Sequence, residues 1–205
     1  MISLSDFLVK YNIPSSNNIF LASDTHFNHN NILKFEPYRG DKYVFIDNMN
    51  SQFIMEWNDT VNDNDVVIFM GDFALGDEEK AVKIMNSLRG KKIIIRGNHD
   101  TRKKVNLYNS ELCPSVVEVH DVGMIIHAYS VEFHFSHYPM ELGCNKSRFN
   151  IHGHIHSKSS PSKDQINVGV DSDYMAGRLL VPLSTVISDA RLKIKKYREE
   201  TKLWD

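Results

Sequence analysis

The sequence predicts an α/β protein with two packed β-sheets, and three observations carry that prediction. Short apolar runs end abruptly in polar residues, as buried strands do on reaching a sheet edge. In the first half of the chain these runs alternate with helical patterns, the mark of βαβ units. Over residues 116–170 strand patterns follow one another, which points to a second sheet packed against the first.

Each element has its own warrant. Residues 19–22 form the first strand and run into Ser23-Asp24-Thr25-His26. Over 42–58, Ile46, Met49, Phe53, Ile54 and Trp57 recur at helical spacing. Residues 66–70 read as a strand that runs into Gly71-Asp72. Over 78–89, Ala81, Ile84, Met85 and Leu88 fall at i, i+3, i+4 and i+7, with Asp77 placed to cap the helix and Gly90 to stop it. The strand at 93–95 runs into Arg96-Gly97-Asn98-His99-Asp100, and 131–137 sets Val131, Phe133, Phe135 and His137 on one face. The last two strands are 149–151, which runs into His152-Gly153-His154-Ile155-His156, and 166–170, which runs into Asp171. From Ser184 a helix continues through Val186, Ile187, Ala190, Ile194 and Tyr197. Its basic run, Arg191 to Arg198, reads as a solvated face, because Glu199 and Glu200 follow directly.

Composition narrows the function classes. The 205 residues suit a single domain spanning 1–205, and 41% hydrophobic with 24% charged residues excludes disorder and fibrous repeats. Lys+Arg 24 against Asp+Glu 26 gives a net charge of −2, which removes the term that dominates non-specific nucleic-acid binding. Nucleic acid therefore stays open as a substrate only. Asp6 and Lys10 interrupt the apolar N-terminal run, so no secretory signal is expected. No window reaches the roughly 18 apolar residues of a membrane span. Cys113 and Cys144 lie far apart without a CxxC pair and read as reduced thiols. A cytoplasmic protein without membrane contact is the expectation.

The strand ends carry Asp24, His26, Asp72, Asn98, His99, Asp100, His137, His154 and His156. Ligands of open α/β sheets bind outside such carboxyl ends. Positions i and i+2 of an extended segment point the same way, so Asp24/His26 and His154/His156 each present two donors together. Oxygen and imidazole donors without thiolate suit manganese, iron, zinc or nickel.

Five ordered blocks, SDTH (23–26), GDFALGD (71–77), RGNHD (96–100), SHYP (136–139) and HGHIH (152–156), resemble the calcineurin-like metallophosphoesterases. The likeness is nearest to small bacterial or phage-type members. It implies a four-layer αββα sandwich of two mixed β-sheets with flanking helices. It also implies two divalent metal ions, manganese first, with iron, zinc or nickel as alternatives. Carried over by position, Asp24, His26 and His156 hold the first metal and Asp72 bridges to the second, which Asn98, His137 and His154 complete. His99 stands beside the scissile phosphate and Asp100 orients it. The reaction implied is hydrolysis of a phosphate ester by a dimetal-bound hydroxide, with a phosphodiester or nucleotide as substrate. A phosphomonoesterase (nucleotide or protein phosphatase) and a non-catalytic metal-binding scaffold are the alternatives. Charge arithmetic agrees: two cations, the carboxylates Asp24 and Asp72 and one hydroxide leave about one positive charge for a phosphate.

The remaining candidates divide. His29 and Arg39 either contact phosphate or are ordinary surface residues, and Arg96 leans to structure. His152 reads as structural, His120, His127 and His134 as plain strand residues, and Asp171 and Asp173 as turn formers. Partners implied are a small phosphorylated substrate or nucleotide, with oligomeric state left open. A nuclease would need a basic track beside the site, and Arg96, Arg102, Lys103 and Lys104 are too few to settle that.

Overall fold

The computed structural model describes residues 1–143 and 147–201, so Cys144 lies outside the described residues, as does the side chain of Arg198. In chain order the elements are β1 (Ile2–Ser3), α1 (Leu4–Tyr11), β2 (Ile19–Ala22), α2 (Ile32–Phe35), α3 (Pro37–Lys42), α4 (Ile46–Thr60), β3 (Val66–Phe69) and α5 (Glu78–Ser87). There follow β4 (Lys91–Ile95), α6 (Arg102–Tyr108), β5 (Val116–His120), β6 (Gly123–Ala128), β7 (Val131–Ser136), β8 (Arg148–His152), β9 (Gln165–Asn167), β10 (Val181–Pro182) and α7 (Leu183–Thr201).

Two five-stranded sheets result, in the orders β10-β2-β3-β4-β5 and β1-β6-β7-β8-β9. In the first, β2 to β5 are parallel and β10 joins antiparallel to β2. In the second, β6 and β7 are antiparallel, while β1, β8 and β9 pair in parallel. Both sheets are mixed, as the resemblance implies.

Alternation along each strand decides what lies between the sheets. Ile19, Leu21, Val66, Ile68, Ile93 and Ile95 face Ile126, Phe133, Phe135, Phe149, Ile151 and Ile166 in one buried cluster. The opposite residues of the first sheet, Phe20, Val67, Phe69 and Ile94, are buried too, against Met49, Phe53 and Trp57 of α4 and Met85 of α5. Strands covered on both faces explain why these runs are uninterruptedly apolar in the sequence. Phe7 and Tyr11 of α1 and Leu183, Val186 and Ile187 of α7 seal the inter-sheet core. The outer face of the second sheet carries Glu132, His134 and Arg148, joined by ion pairs.

Local chemistry sets the helix ends. Ser3 accepts from the Asp6 amide, Asp77 from Lys80 and Thr101 from Lys104, each capping a first turn. Helix α5 ends at Ser87; Gly90 (φ +80) lies beyond it, where a Cβ would stand 2.6 Å from Val61. The basic run of α7 is a paired face: Lys195 lies 3.9 Å from Glu199, Lys193 donates to the Gln165 carbonyl and Arg191 stacks on Tyr129. No helix among the described residues is long and apolar enough to cross a membrane.

Lys92 of β4 is fully buried and donates to the Leu88 carbonyl and to Ser115 Oγ. Burial pushes its ammonium down to about 8 from 10.5. Below pH 8 folded and unfolded chains both hold the proton, and the folded chain bears the desolvation penalty. Between about 8 and 10.5 only the unfolded chain keeps it, so stability rises with pH. Urea titrations of wild type and Lys92→Met at pH 7 and pH 10.5 should show the difference moving toward wild type by on the order of 3 kcal/mol. A difference that does not change with pH would remove Lys92 as the cause.

Candidate metal centre

Beyond the ends of β2 and β3 the two segments continue to pair. Asp24 N donates to Gly71 O (3.0 Å), His26 N to Asp72 O (3.1 Å) and Phe27 N to Phe73 O (2.9 Å). Asp24, His26, Asp72, His154 and His156 all take left-handed backbone, with φ of 60, 50, 57, 69 and 50°. L-residues resist that conformation, but it turns consecutive side chains off the strand axis and into one basin.

Glycines make the basin tight. A Cβ on Gly97 would meet Asp72 Oδ1 at 2.2 Å, and one on Gly153 would meet Asp24 Oδ2 at 2.3 Å. Gly71 (φ +92) lets the chain pass 2.6 Å from His137 Nδ1, measured from the Cβ it lacks.

The side chains gather in two groups, Asp24/His26/His156 and Asp72/His137/His154, each with ligand atoms within 4.8 Å of one another. Asp72 Oδ2 lies 3.5 Å from His26 Nε2 and 3.5 Å from His137 Nε2, between the groups. Asn98 Oδ1 is 2.9 Å from His137 Nε2 and joins the second group. All seven expected ligand positions therefore meet in one place. A further trio, Glu36/His156/Asp171, is also close, but both Asp171 oxygens already accept from the Arg39 guanidinium.

The chemistry of the donors fits divalent cations. Asp24 Oδ1 and His26 Nε2 are buried without a hydrogen-bond partner. His137 Nδ1 donates to the Met70 carbonyl (2.8 Å), so in the neutral ring Nε2 is a lone pair facing the Asn98 and Asp72 oxygens. Acceptors converging in a buried site are what a bound cation satisfies. Burial pushes Asp24 up to about 6 against the pull of His137 and His156, and burial holds His26 far below the usual imidazole range. Burial would lower His156 as well, yet its bond to Asp171 and the nearby Asp24 hold it above the ordinary value.

His99 stands exposed at the mouth, its ring centroid 5.3 Å from that of His26 and its backbone N–H donating to Asp72 Oδ1 (2.8 Å). Asp100 is put to a different use from the one expected. Its buried carboxylate accepts from the amides of Asp72 (2.7 Å), Phe73 (3.2 Å) and Gly97 (2.9 Å), and no hydrogen bond joins it to the His99 ring. His29 lies at the site, Nδ1 to His26 Nδ1 3.3 Å. Arg96 donates to the Asp100 carbonyl and His152 bonds Gly153 O and Ser160 Oγ, both structural. His120 and His134 sit beside Glu118 and Glu132 on their strands. Asp173 is exposed. Arg39 is not a surface residue: it is buried against Asp171, which stands in the turn closed by Ser172 N on Gly169 O and is also the partner of His156 (2.7 Å). Tyr138 and Phe35, which sequence reasoning passed over, are exposed aromatics flanking the site. Tyr138 lies 4.6 Å from His154 and Phe35 6.0 Å from His29.

A profile of the calcineurin-like phosphoesterase superfamily domain matches residues 18–173, which contain every one of these groups. The chain belongs to that superfamily. Membership makes this phosphoesterase a metal-dependent hydrolase of phosphate esters. An uncharacterized protein of Methanocaldococcus jannaschii is 35% identical over 136 residues, 61% of this chain and 76% of its own. A crystal structure of a protein of unknown function from Aquifex aeolicus superposes with TM-score 0.63 at 22% identity, over 83% of this chain and 97% of its own, and so shares the fold. A solved archaeal phosphodiesterase reaches a TM-score of 0.40 at 18% identity, over 75% of this chain and 83% of its own, too remote to bear on this phosphoesterase.

The glycine cradle yields a direct check. Gly97→Ala pushes a methyl into Asp72 Oδ1, and should lower stability by about 1–3 kcal/mol and manganese affinity at least about tenfold. Calorimetric titration of manganese(II) measures the second effect, and unchanged affinity would show that Asp72 moves aside freely.

Proposed function

We propose that this phosphoesterase hydrolyses a small phosphodiester or nucleotide at a two-cation centre, with manganese as the preferred cation and iron, zinc or nickel as alternatives. The observation that carries the reading is the position of Asp72 Oδ2, 3.5 Å from a histidine of each group. One carboxylate can then serve both cations, with Asp24, His26 and His156 completing one and Asn98, His137 and His154 the other. Bound cations supply Lewis-acid polarisation of the phosphoryl oxygens and activation of water.

The chain's own residues do the rest. Burial keeps the His26 imidazole neutral and ready to ligate. His99 at the mouth gives a proton to the leaving oxygen, and its main chain is tied to Asp72. Asp100 is a positioning residue that joins the β3 and β4 loops through three amides, so the His99 loop cannot drift from Asp72. Ser23 and Thr25, the two hydroxyls within the first motif, are buried and donate to Met70 O and Phe73 O, which leaves them unfit as covalent nucleophiles and supports direct hydrolysis.

Two features favour a small substrate carrying an aromatic ring over a long nucleic acid. The cations nearest the motifs are engaged: Arg96 with the Asp100 carbonyl, Arg102 with Asp121, Lys103 with Glu78 and Lys104 with the Ala74 carbonyl. Exposed Tyr138 and Phe35 offer faces on which a base can stack, worth about 1–3 kcal/mol each. A single domain over 1–205 working in the cytoplasm belongs to the same reading.

Paired aryl phosphate monoester and diester substrates, assayed with manganese and again after chelation, test this. Chelator-sensitive turnover that prefers the diester is expected; a monoester preference would move the reading to a phosphomonoesterase, and none on either toward a scaffold. Asp72→Asn should lower kcat/KM about a thousandfold or more, and wild-type turnover there would sink the two-cation centre. His99→Ala should keep its manganese while kcat falls about 10²–10⁴-fold; lost metal would make His99 a ligand instead.

A further inference from the structure

We infer that Arg39 is the positioning residue of the first cation group, holding Asp24, His26 and His156 in ligating posture without touching the cation. This deepens the two-cation reading and rests on it. Arg39 rises from α3 and is 1% exposed. Nε and Nη2 grip Asp171 Oδ1 and Oδ2 at 2.6 and 2.7 Å, the paired geometry that a guanidinium makes and an ammonium does not. Nη2 also donates to the Asp24 carbonyl (2.6 Å) and Nη1 to the Thr25 carbonyl (2.8 Å).

Of the group, those four bonds touch Asp24 directly, His26 through the carbonyl of the preceding Thr25, and His156 only through Asp171. The two carbonyls belong to the left-handed stretch at Asp24 and His26, a backbone that persists only where its surroundings hold it. Asp171 in turn accepts from His156 Nδ1 (2.7 Å), so the hydrogen sits on Nδ1 and the lone pair on Nε2. With Arg39 removed, the carbonyls of the turn lose their donor and Asp171 becomes a buried anion free to draw His156 away. The second group, Asp72, Asn98, His137 and His154, receives no bond from Arg39. A residue that merely anchored α3 would cost stability and leave both affinities alike. A positioning residue weakens one cation and spares the other.

The test is calorimetric titration of manganese(II) into metal-stripped wild type, Arg39→Lys, Arg39→Met and Asp171→Asn, with urea midpoints to correct for the folded fraction. Wild type should bind two ions. Arg39→Met, and Arg39→Lys nearly as much, should lose about 10–100-fold affinity for one ion and change by less than about threefold for the other. Asp171→Asn, which keeps the shape and a hydrogen-bond acceptor, should weaken the same ion, and adding Arg39→Met to it should cost no more than the larger single loss. If Arg39→Met fails to fold, Asp171→Asn and Arg39→Lys decide alone. Wild-type affinities in the folded variants, or equal losses at both ions, would overturn the inference and leave the two-cation reading standing. A wild type that binds neither manganese nor iron, zinc or nickel would overturn both.

Discussion

A strand points its side chains to alternate faces, so it cannot by itself aim neighbouring residues into one basin. Here the chain solves this by leaving its strands in left-handed turns, and the site depends on that choice. Five of the candidate ligands take positive φ. Such backbone costs on the order of 1–2 kcal/mol per residue. Hydrogen bonds hold it in place: Asp24 and His26 donate to the β3 loop, His154 N donates to Asp24 Oδ2 (2.9 Å) and Asp72 N to Asp100 Oδ2 (2.7 Å). The ligand carboxylates thus also accept backbone bonds, and the glycines at 97 and 153 exist to let them come that close.

The two sheets divide the labour. The first, double-covered sheet carries the parallel strand ends that deliver Asp24, His26, Asp72 and Asn98. The second brings His137, His154 and His156 on the loops after β7 and β8, which are also parallel neighbours. Aromatic and branched residues between the sheets set their separation. The spacing of the two ligand groups is therefore a property of the core as much as of the motifs.

The strands of the first sheet were legible because burial on both faces leaves apolar runs that nothing else explains. Asp77 as a cap was legible because the residue type and its offset are local. The shorter elements left no such trace. Helices α2 and α3 have four and six residues, too short for a 3.6-residue period to show, and β1 and β10 have two residues each. Within the site, the ligands stand in compact blocks, whereas their supports do not. Arg39 and Asp171 are 132 positions apart, and neither sits in a pattern that tells a buried pair from a surface charge and a turn. Asp100 was read for its neighbour His99, but its contacts are backbone amides, which a sequence does not distinguish. Lys92 gives no sign of burial, lying as it does at the start of an apolar run.

The long reach of these contacts orders events during synthesis. Asp24 waits for the amide of His154, 130 residues later, and Arg39 waits for Asp171. An emerging chain can build β2, β3 and β4 with their helices, but until residue 171 has left the ribosome the first group has no anchored His156. The first group is therefore assembled only after residue 171 has emerged, loop closure over such separations coming late, whereas the second group, complete at His154, does not wait for that pair. A product that stopped short of residue 171 would carry all five motifs yet lack the carboxylate that orients His156.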